Sequence, residues 1–219
     1  MKQDLKSYYD ERANEYDKVY LNPEEQEDLA EATGILQNVF SSKTVLEFAC
    51  GTGYWTERIG KTAKSVHATD VNKSVIKIAQ ERRRLDNVTY EVADMYDFES
   101  EKRFEGFFGG FIWSHIKLQD LDRFVENLKK LIRPKGNVVF IDSNPLRDTC
   151  HDLKRVIKTD DIGNTYQKRK IENGNEYLVL KNFPTNDFLQ EKLSKITNDL
   201  KVVRTRYYWI AFGEMKNKN

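Results

Sequence analysis

The 219-residue chain reads as an α/β protein built on a doubly wound sheet of mostly parallel strands. Three observations predict this. Short β-branched or aromatic runs recur at intervals of roughly 20–30 residues, and segments of helical periodicity fill the intervals. A turn of small residues, Ala49-Cys-Gly-Thr-Gly53, follows the first run and opens a helix. Strand, tight turn, helix, strand is the unit from which such sheets are wound.

Taken in order, the chain begins with two amphipathic segments. Tyr9, Ala13, Tyr16 and Tyr20 share one face of a helix over 5–20; Leu29, Ala32, Leu36 and Phe40 share one face over 23–40. Residues 1–40 are therefore expected to form a helical cover. The five strands expected next are Thr44–Phe48, Ser65–Thr69, Val88–Val92, Phe107–Ile112 and Asn137–Ile141. Asn72 or Ser74 is placed to cap a helix carrying Val75, Ile78, Ala79 and Leu85. A second helix carries Leu121, Phe124, Val125, Leu128, Leu131 and Ile132, and stops at Arg133-Pro-Lys-Gly136, where proline cannot continue it.

The pattern changes after the fifth strand. Residues 146–158 read as helical, and Tyr166–Ile171 with Glu176–Lys181 flank the turn Glu172-Asn-Gly-Asn175, a hairpin signal. Pro184–Ile196 reads as a final helix with Thr185 as its cap, followed by strands at Lys201–Arg206 and Tyr208–Met215. No linker divides the chain. Residues 1–219 are expected to be one domain with a β-hairpin insertion at 144–183.

Composition narrows the function. Lys and Arg number 36 against 35 Asp and Glu, a net charge of +1, so nothing draws the whole molecule to nucleic acid or anionic membrane. No apolar run approaches the roughly 20 residues of a spanning helix. The charged opening MKQDLKSYYDERANEYD is not a secretory signal, so a cytoplasmic location is expected. Two cysteines, Cys50 and Cys150, give neither a disulfide framework nor a zinc quartet, and no metal is expected. Cys150 reads as an incidental thiol.

Chemistry is concentrated in Val45-Leu-Glu-Phe-Ala-Cys-Gly-Thr-Gly53. Small residues let a ligand lie against bare backbone, and the helix that follows offers free N–H groups. Glu47 can accept from a ligand ammonium near the turn. The dinucleotide fingerprint fails, because Thr56 stands where its third glycine belongs. A phosphate loop fails too, with no Gly-Lys-Ser/Thr. The turn therefore suits a nucleoside without a strong phosphate requirement. Asp70, ending the second strand, is placed for both ribose hydroxyls. At the third strand end, Asp94 can accept from an adenine amine and Met95 can pack on the ring.

On these residues the chain resembles the class I S-adenosylmethionine-dependent methyltransferases. Glu47–Gly53 looks like the family's first motif, with Ala49 in place of the first glycine; this is tolerable if φ there stays negative. Asp70 matches the ribose acid and Asp94-Met95 the adenine site. Leu131-Ile-Arg-Pro-Lys-Gly136 looks like the family's turn before its fifth strand, and Tyr8–Asp17 like a common opening among its small-molecule members. The resemblance implies a seven-stranded Rossmann-like sheet, last strand antiparallel, helices on both faces, and S-adenosylmethionine across the strand ends. It places Tyr16, Glu47, Ala49, Gly51, Gly53, Thr56, Asp70, Val71, Asp94, Met95 and Trp113 against the cofactor. S-adenosylhomocysteine is the implied product.

Methyl transfer is an in-line displacement, in which the nucleophile must sit about 3–3.5 Å from the methyl carbon. In related enzymes the fourth strand end faces that methyl group. His115 is thus the candidate base or acceptor-orienting group, with Tyr16 beside the sulfonium and Trp113 beside the adenine or sulfonium. Tyr9 and Tyr20 read as packing aromatics, and Asp142 as structural. The sequence lacks the Pro-Pro-aromatic motif of base-methylating enzymes and an acidic metal set at the fourth strand. The expected activity is transfer to nitrogen or oxygen of a small-molecule acceptor held under the helical cover and the insertion. The alternatives are a non-catalytic S-adenosylmethionine-binding module and a nucleic-acid methyltransferase, the latter disfavoured by charge. A homodimer is compatible with the sequence.

Overall fold

The computed structural model describes residues 4–144 and 155–217. Helix α1 (Leu5–Arg12) starts on Asp4, whose carboxylate accepts from the backbone N–H of Lys6 and Ser7, and passes into a 3-10 segment, Ala13–Tyr20. α2 (Gln26–Phe40) follows. Then come β1 (Thr44–Phe48), α3 (Tyr54–Gly60), β2 (Ser65–Asp70), α4 (Lys73–Arg82), β3 (Val88–Val92), β4 (Phe104–Gly110), α5 (Leu121–Leu131) and β5 (Ile132–Ser143). β6 (Val156–Thr159), β7 (Thr165–Lys170) and β8 (Glu176–Leu180) form the insertion. α6 (Asn186–Leu193), β9 (Thr197–Arg204) and β10 (Tyr208–Met215) close the chain.

Seven strands make the main sheet in the order β3-β2-β1-β4-β5-β10-β9. The first five run parallel, and β10 lies antiparallel to both β5 and β9. The chain order reverses between β1 and β4, and the loops at the carboxyl ends of β1, β2, β3 and β4 share that crevice, where ligands bind in sheets of this kind.

Two cores cover the two faces. On one, Leu29, Ala32, Leu36 and Phe40 of α2 bury their stripe with Val45, Val139 and Ile210. Each of the larger side chains stabilises the fold by roughly 1.5–3 kcal/mol relative to exposure. Gly106 admits the Phe40 ring: a Cβ there would come within 2.7 Å of it. On the other face, α5 and α6 set Phe124, Leu128, Leu189 and Leu193 over Phe107, Phe140 and Trp209.

Several expectations change; Ile132, for one, opens β5 rather than ending α5. The insertion holds a three-stranded antiparallel sheet, β6-β7-β8, rather than a hairpin alone. Of the helix expected over 146–158, residues 146–154, and Cys150 with them, lie outside the described residues, while Val156–Thr159 is a strand. The fourth strand ends at Gly110, and Trp113–His115 form a separate 3-10 turn. The insertion is tied to both neighbours: Asn182 donates to the carbonyls of Ser114 and Ile116, and Tyr177 packs edge-on against Tyr8 of α1.

Candidate cofactor and acceptor site

The turn after β1 is wound tightly because long-range bonds fix it. The Cys50 amide donates to the Thr69 carbonyl, and the Gly51 amide to Asp70 Oδ2 at 3.0 Å. Ala49, Gly51 and Gly53 all take positive φ, at +52°, +56° and +81°. The negative φ expected for Ala49 is thus corrected: the residue sits in left-handed backbone, which costs a non-glycine residue roughly 1–2 kcal/mol. Asp17 locks the cover onto this turn, accepting from the Thr52 hydroxyl and from Arg83 at 3.2 Å.

A cavity of about 340 Å³ opens beside the turn. It brings together Tyr16, Ala49, Gly51, Asp70, Val71, Asp94, Met95 and His115 of the residues singled out in the sequence. Tyr16 lies over the turn, its Cε1 3.6 Å from where a Cβ on Gly51 would stand. Burial raises the Tyr16 hydroxyl to about 12, so it serves as a donor. Asp70 also accepts from the Asn72 amide at 2.9 Å. A carboxylate has about four lone-pair sites, so two backbone bonds leave room for two hydroxyl donors. Burial raises its pKa against the pull of those amides.

Glu47, Gly53 and Thr56 stand behind the wall rather than on it. Glu47 is 1% exposed, its Oε2 has no hydrogen-bond partner, and burial pushes its carboxyl up to about 8. Trp113 is a correction. It is buried in the core against Phe140 and Trp209, at 5.0 and 6.2 Å between ring centres, and Ile112 takes the cavity wall instead.

His115 is engaged at both ring nitrogens. Nδ1 lies 2.5 Å from the Leu180 carbonyl, which only accepts, so Nδ1 carries the proton. Nε2 therefore accepts from the Tyr9 hydroxyl at 2.7 Å. Burial, together with the charge of Lys181, depresses the imidazole to about 3, so it is neutral at physiological pH. Beneath it Asp142 pairs with Lys181 at 2.7 Å, both almost wholly buried. Burial works against the Asp142 anion, but Lys181, helped by the Ser114 amide, outweighs it and holds its pKa below the usual value.

Sequence reasoning missed three features. Tyr9, read as packing, bonds His115. Asn72 stands at the N-cap of α4 as read, but it makes no side-chain capping bond: it lines the cavity with its Oδ1 unpartnered. Phe111 lines it in left-handed backbone at φ +56°. The Asx pattern after a strand-end acid was the available signal for Asn72; nothing local marks the other two. Among the described residues no group of His, Cys, Asp and Glu is arranged to hold a metal ion. No helix there is long and apolar enough to cross a membrane.

A parallel strand-end crevice with a glycine turn and two strand-end acids has the make-up of a nucleoside site. The comparisons agree. Residues 45–136 match the family described as a methyltransferase domain. A malonyl-[acyl-carrier protein] O-methyltransferase of Bacillus cereus is 29% identical over 182 residues, covering 80% of this chain and 62% of that protein. A solved DhpI–SAM–HEP complex superposes with a TM-score of 0.77 at 25% identity over 94% of each chain. The N-methyltransferase NodS from Bradyrhizobium japonicum with S-adenosylhomocysteine gives 0.68 at 16%, over 97% of this chain and 98% of that one. The comparisons support a class I S-adenosylmethionine-dependent methyltransferase: the family match covers residues 45–136 and the solved complexes share the fold. The chain spans about three-fifths of the Bacillus relative's length.

Proposed function

We propose that this protein transfers a methyl group from S-adenosylmethionine to an oxygen or nitrogen of a small molecule. The observation that carries the reading is the convergence, on one cavity, of the β1 turn, both strand-end acids, Tyr16 and His115. In this reading Asp70 holds the ribose hydroxyls, with Val71 beside it. Asp94 accepts from the adenine amine and Met95 packs on the ring. The open backbone of Ala49 and Gly51 lines the amino-acid tail. The unpartnered Asn72 Oδ1 on the wall is what a site awaiting a donor would contain, and Glu47, behind the wall with Thr56, bears on the ammonium through its charge. The cofactor supplies an activated methyl group. Tyr16 and His115 orient its surroundings and exclude water.

The test is direct. The purified protein is titrated with S-adenosylhomocysteine by calorimetry, then incubated with S-adenosylmethionine and a metabolite panel that includes malonyl-acyl carrier protein, the acceptor in the relative's name. Binding together with S-adenosylhomocysteine formation on a small acceptor supports the reading. Binding without turnover on any acceptor favours a binding module, and turnover on the carrier protein alone moves the acceptor class.

A further inference from the structure

Apart from the two cores of the main sheet lies a smaller apolar cluster. Tyr8 of α1 meets Ile171, just after β7, and Tyr177 and Val179 of β8, all four buried. We propose that this cluster is the clasp that holds the N-terminal cover closed over the cofactor, and that Tyr8, Ile171 and Tyr177 are positioning residues for cofactor binding although none of them lines the cavity. The inference rests on the methyl-transfer reading above and adds to it what governs access to that site.

α1 needs a clasp because it is short. It has eight residues, and an isolated helix under roughly 12–15 residues is marginal in water. Its place over the cavity is therefore set by what it packs against. Consecutive side chains on a helix point about 100° apart, and here that difference divides two tasks. Tyr8 enters the hairpin cluster, while Tyr9 turns to the cavity and donates to His115 at 2.7 Å. Leu5 and Lys6 line the same cavity, so this side of α1 follows wherever Tyr8 is seated. The Tyr8 ring stands edge-on to both Tyr177 and Tyr9, with centres 5.5 and 4.9 Å apart, so a shift of one ring passes to the next.

Polar groups surround the cluster. Glu11 accepts from Asn175 and Asn173 at 2.7 and 3.0 Å, and Lys18 pairs with Glu172. These contacts are exposed and each contributes little; they fix which turn of the cover meets which hairpin residue. Burial of the rings and of Ile171 supplies most of the hold. The hairpin can bear it because its base is fastened to the body, Lys181 pairing with Asp142 and Asn182 donating to Ser114 and Ile116. The other end of the cover is held separately, Tyr20 lying flat on Tyr54 at 3.6 Å. Release of the clasp therefore frees α1 while the end near Tyr20 stays down.

A ligand that binds only beneath a closed cover binds in proportion to the closed fraction. The coupling is reciprocal, so the bound ligand must in turn hold α1 and the hairpin turn together.

Hydrogen exchange on the full-length wild type, with and without S-adenosylhomocysteine, is the first measurement. The ligand should slow exchange in α1 and in residues 170–178 together. Calorimetry and stopped-flow displacement then compare Ile171→Ala, Ile171→Val and, as a control, Leu193→Ala in the core under α6. Ile171→Ala should weaken S-adenosylhomocysteine binding about 10-fold, the closed fraction falling to about one tenth, chiefly through faster dissociation. Ile171→Val, which keeps most of the side chain, should cost about 3-fold or less. Leu193→Ala should lower Tm and leave affinity and dissociation rate as they are. Unchanged exchange at 170–178 on binding, or an Ile171→Ala variant that binds and releases like the wild type, overturns the proposal. So does a Leu193→Ala variant that loses affinity to the same degree, because general destabilisation would then account for both. Failure of the wild type to bind S-adenosylhomocysteine is a separate result and removes the underlying reading instead.

Discussion

Glu47 makes the sharpest prediction, because its cost and its use both follow from one burial. The residue stands one before the end of β1, 1% exposed and with Oε2 unpartnered. Burial lifts its carboxyl from the ordinary 4.5 to about 8, Thr56 opposing and Asp70 adding to the rise. An unfolded chain gives up that proton near 4.5. Between about 4.5 and 8 the native state therefore holds more protons than the unfolded state, and stability falls as pH rises. Between pH 5 and 7.5 this one group removes roughly 3 kcal/mol, and the loss levels off above about 8.

Glu47→Gln keeps the shape and abolishes the titration. Its amide has a burial cost of its own, but that cost is the same at every pH. The variant's Tm should gain on the wild type by about 6–12 °C between pH 5 and 7.5, at roughly 2–4 °C per kcal/mol for a chain of this size. Thermal melts of both proteins at four pH values in that window check it. Two parallel curves would refute the argument. The same logic extends to the proposed cofactor: an ammonium held near Glu47 favours the carboxylate, so binding should expel a proton. S-adenosylhomocysteine affinity should rise from about pH 6 to 7.5 in the wild type and stay flat in Glu47→Gln.

Gly51→Val should abolish S-adenosylhomocysteine binding in a folded protein, since φ is +56° and the new side chain would fill the space under Tyr16; calorimetry beside a circular dichroism spectrum checks both halves. Asp70→Ala should weaken that binding by about 1–3 kcal/mol, the loss of a buried hydrogen-bonded acceptor, read by the same titration. Ala49→Gly should stabilise the fold by about 0.5–1 kcal/mol, left-handed strain being relieved against the greater freedom of an unfolded glycine, measured by urea unfolding. Lys181→Met should destabilise by roughly 3–5 kcal/mol, because Asp142 is left charged and buried without its partner. Adding Asp142→Leu should recover much of that.

What the sequence made legible was local. A strand run, its terminal acid and the turn behind it are contiguous, so β1, β2 and β3 and their end residues could be read with the spacing intact, and β10 was placed to the residue. The misreadings share a different cause. Ala49 is driven to positive φ by bonds from Cys50 to Thr69 and from Gly51 to Asp70, about 20 positions away. β6 is a short, charged edge strand whose identity comes from pairing with β7. Trp113 and Tyr9 exchanged roles because an aromatic at a strand end or on a helical stripe has the same pattern whether it faces core or cavity. What separated them was polar reach. The Tyr9 hydroxyl found a ring nitrogen 106 residues away, while the Trp113 ring found only Phe140 and Trp209. The pair formed by Tyr9 and His115 thus changes the chemical reading of the site. A histidine that looked like a base in one dimension is, in three, a neutral imidazole whose Nε2 accepts from Tyr9.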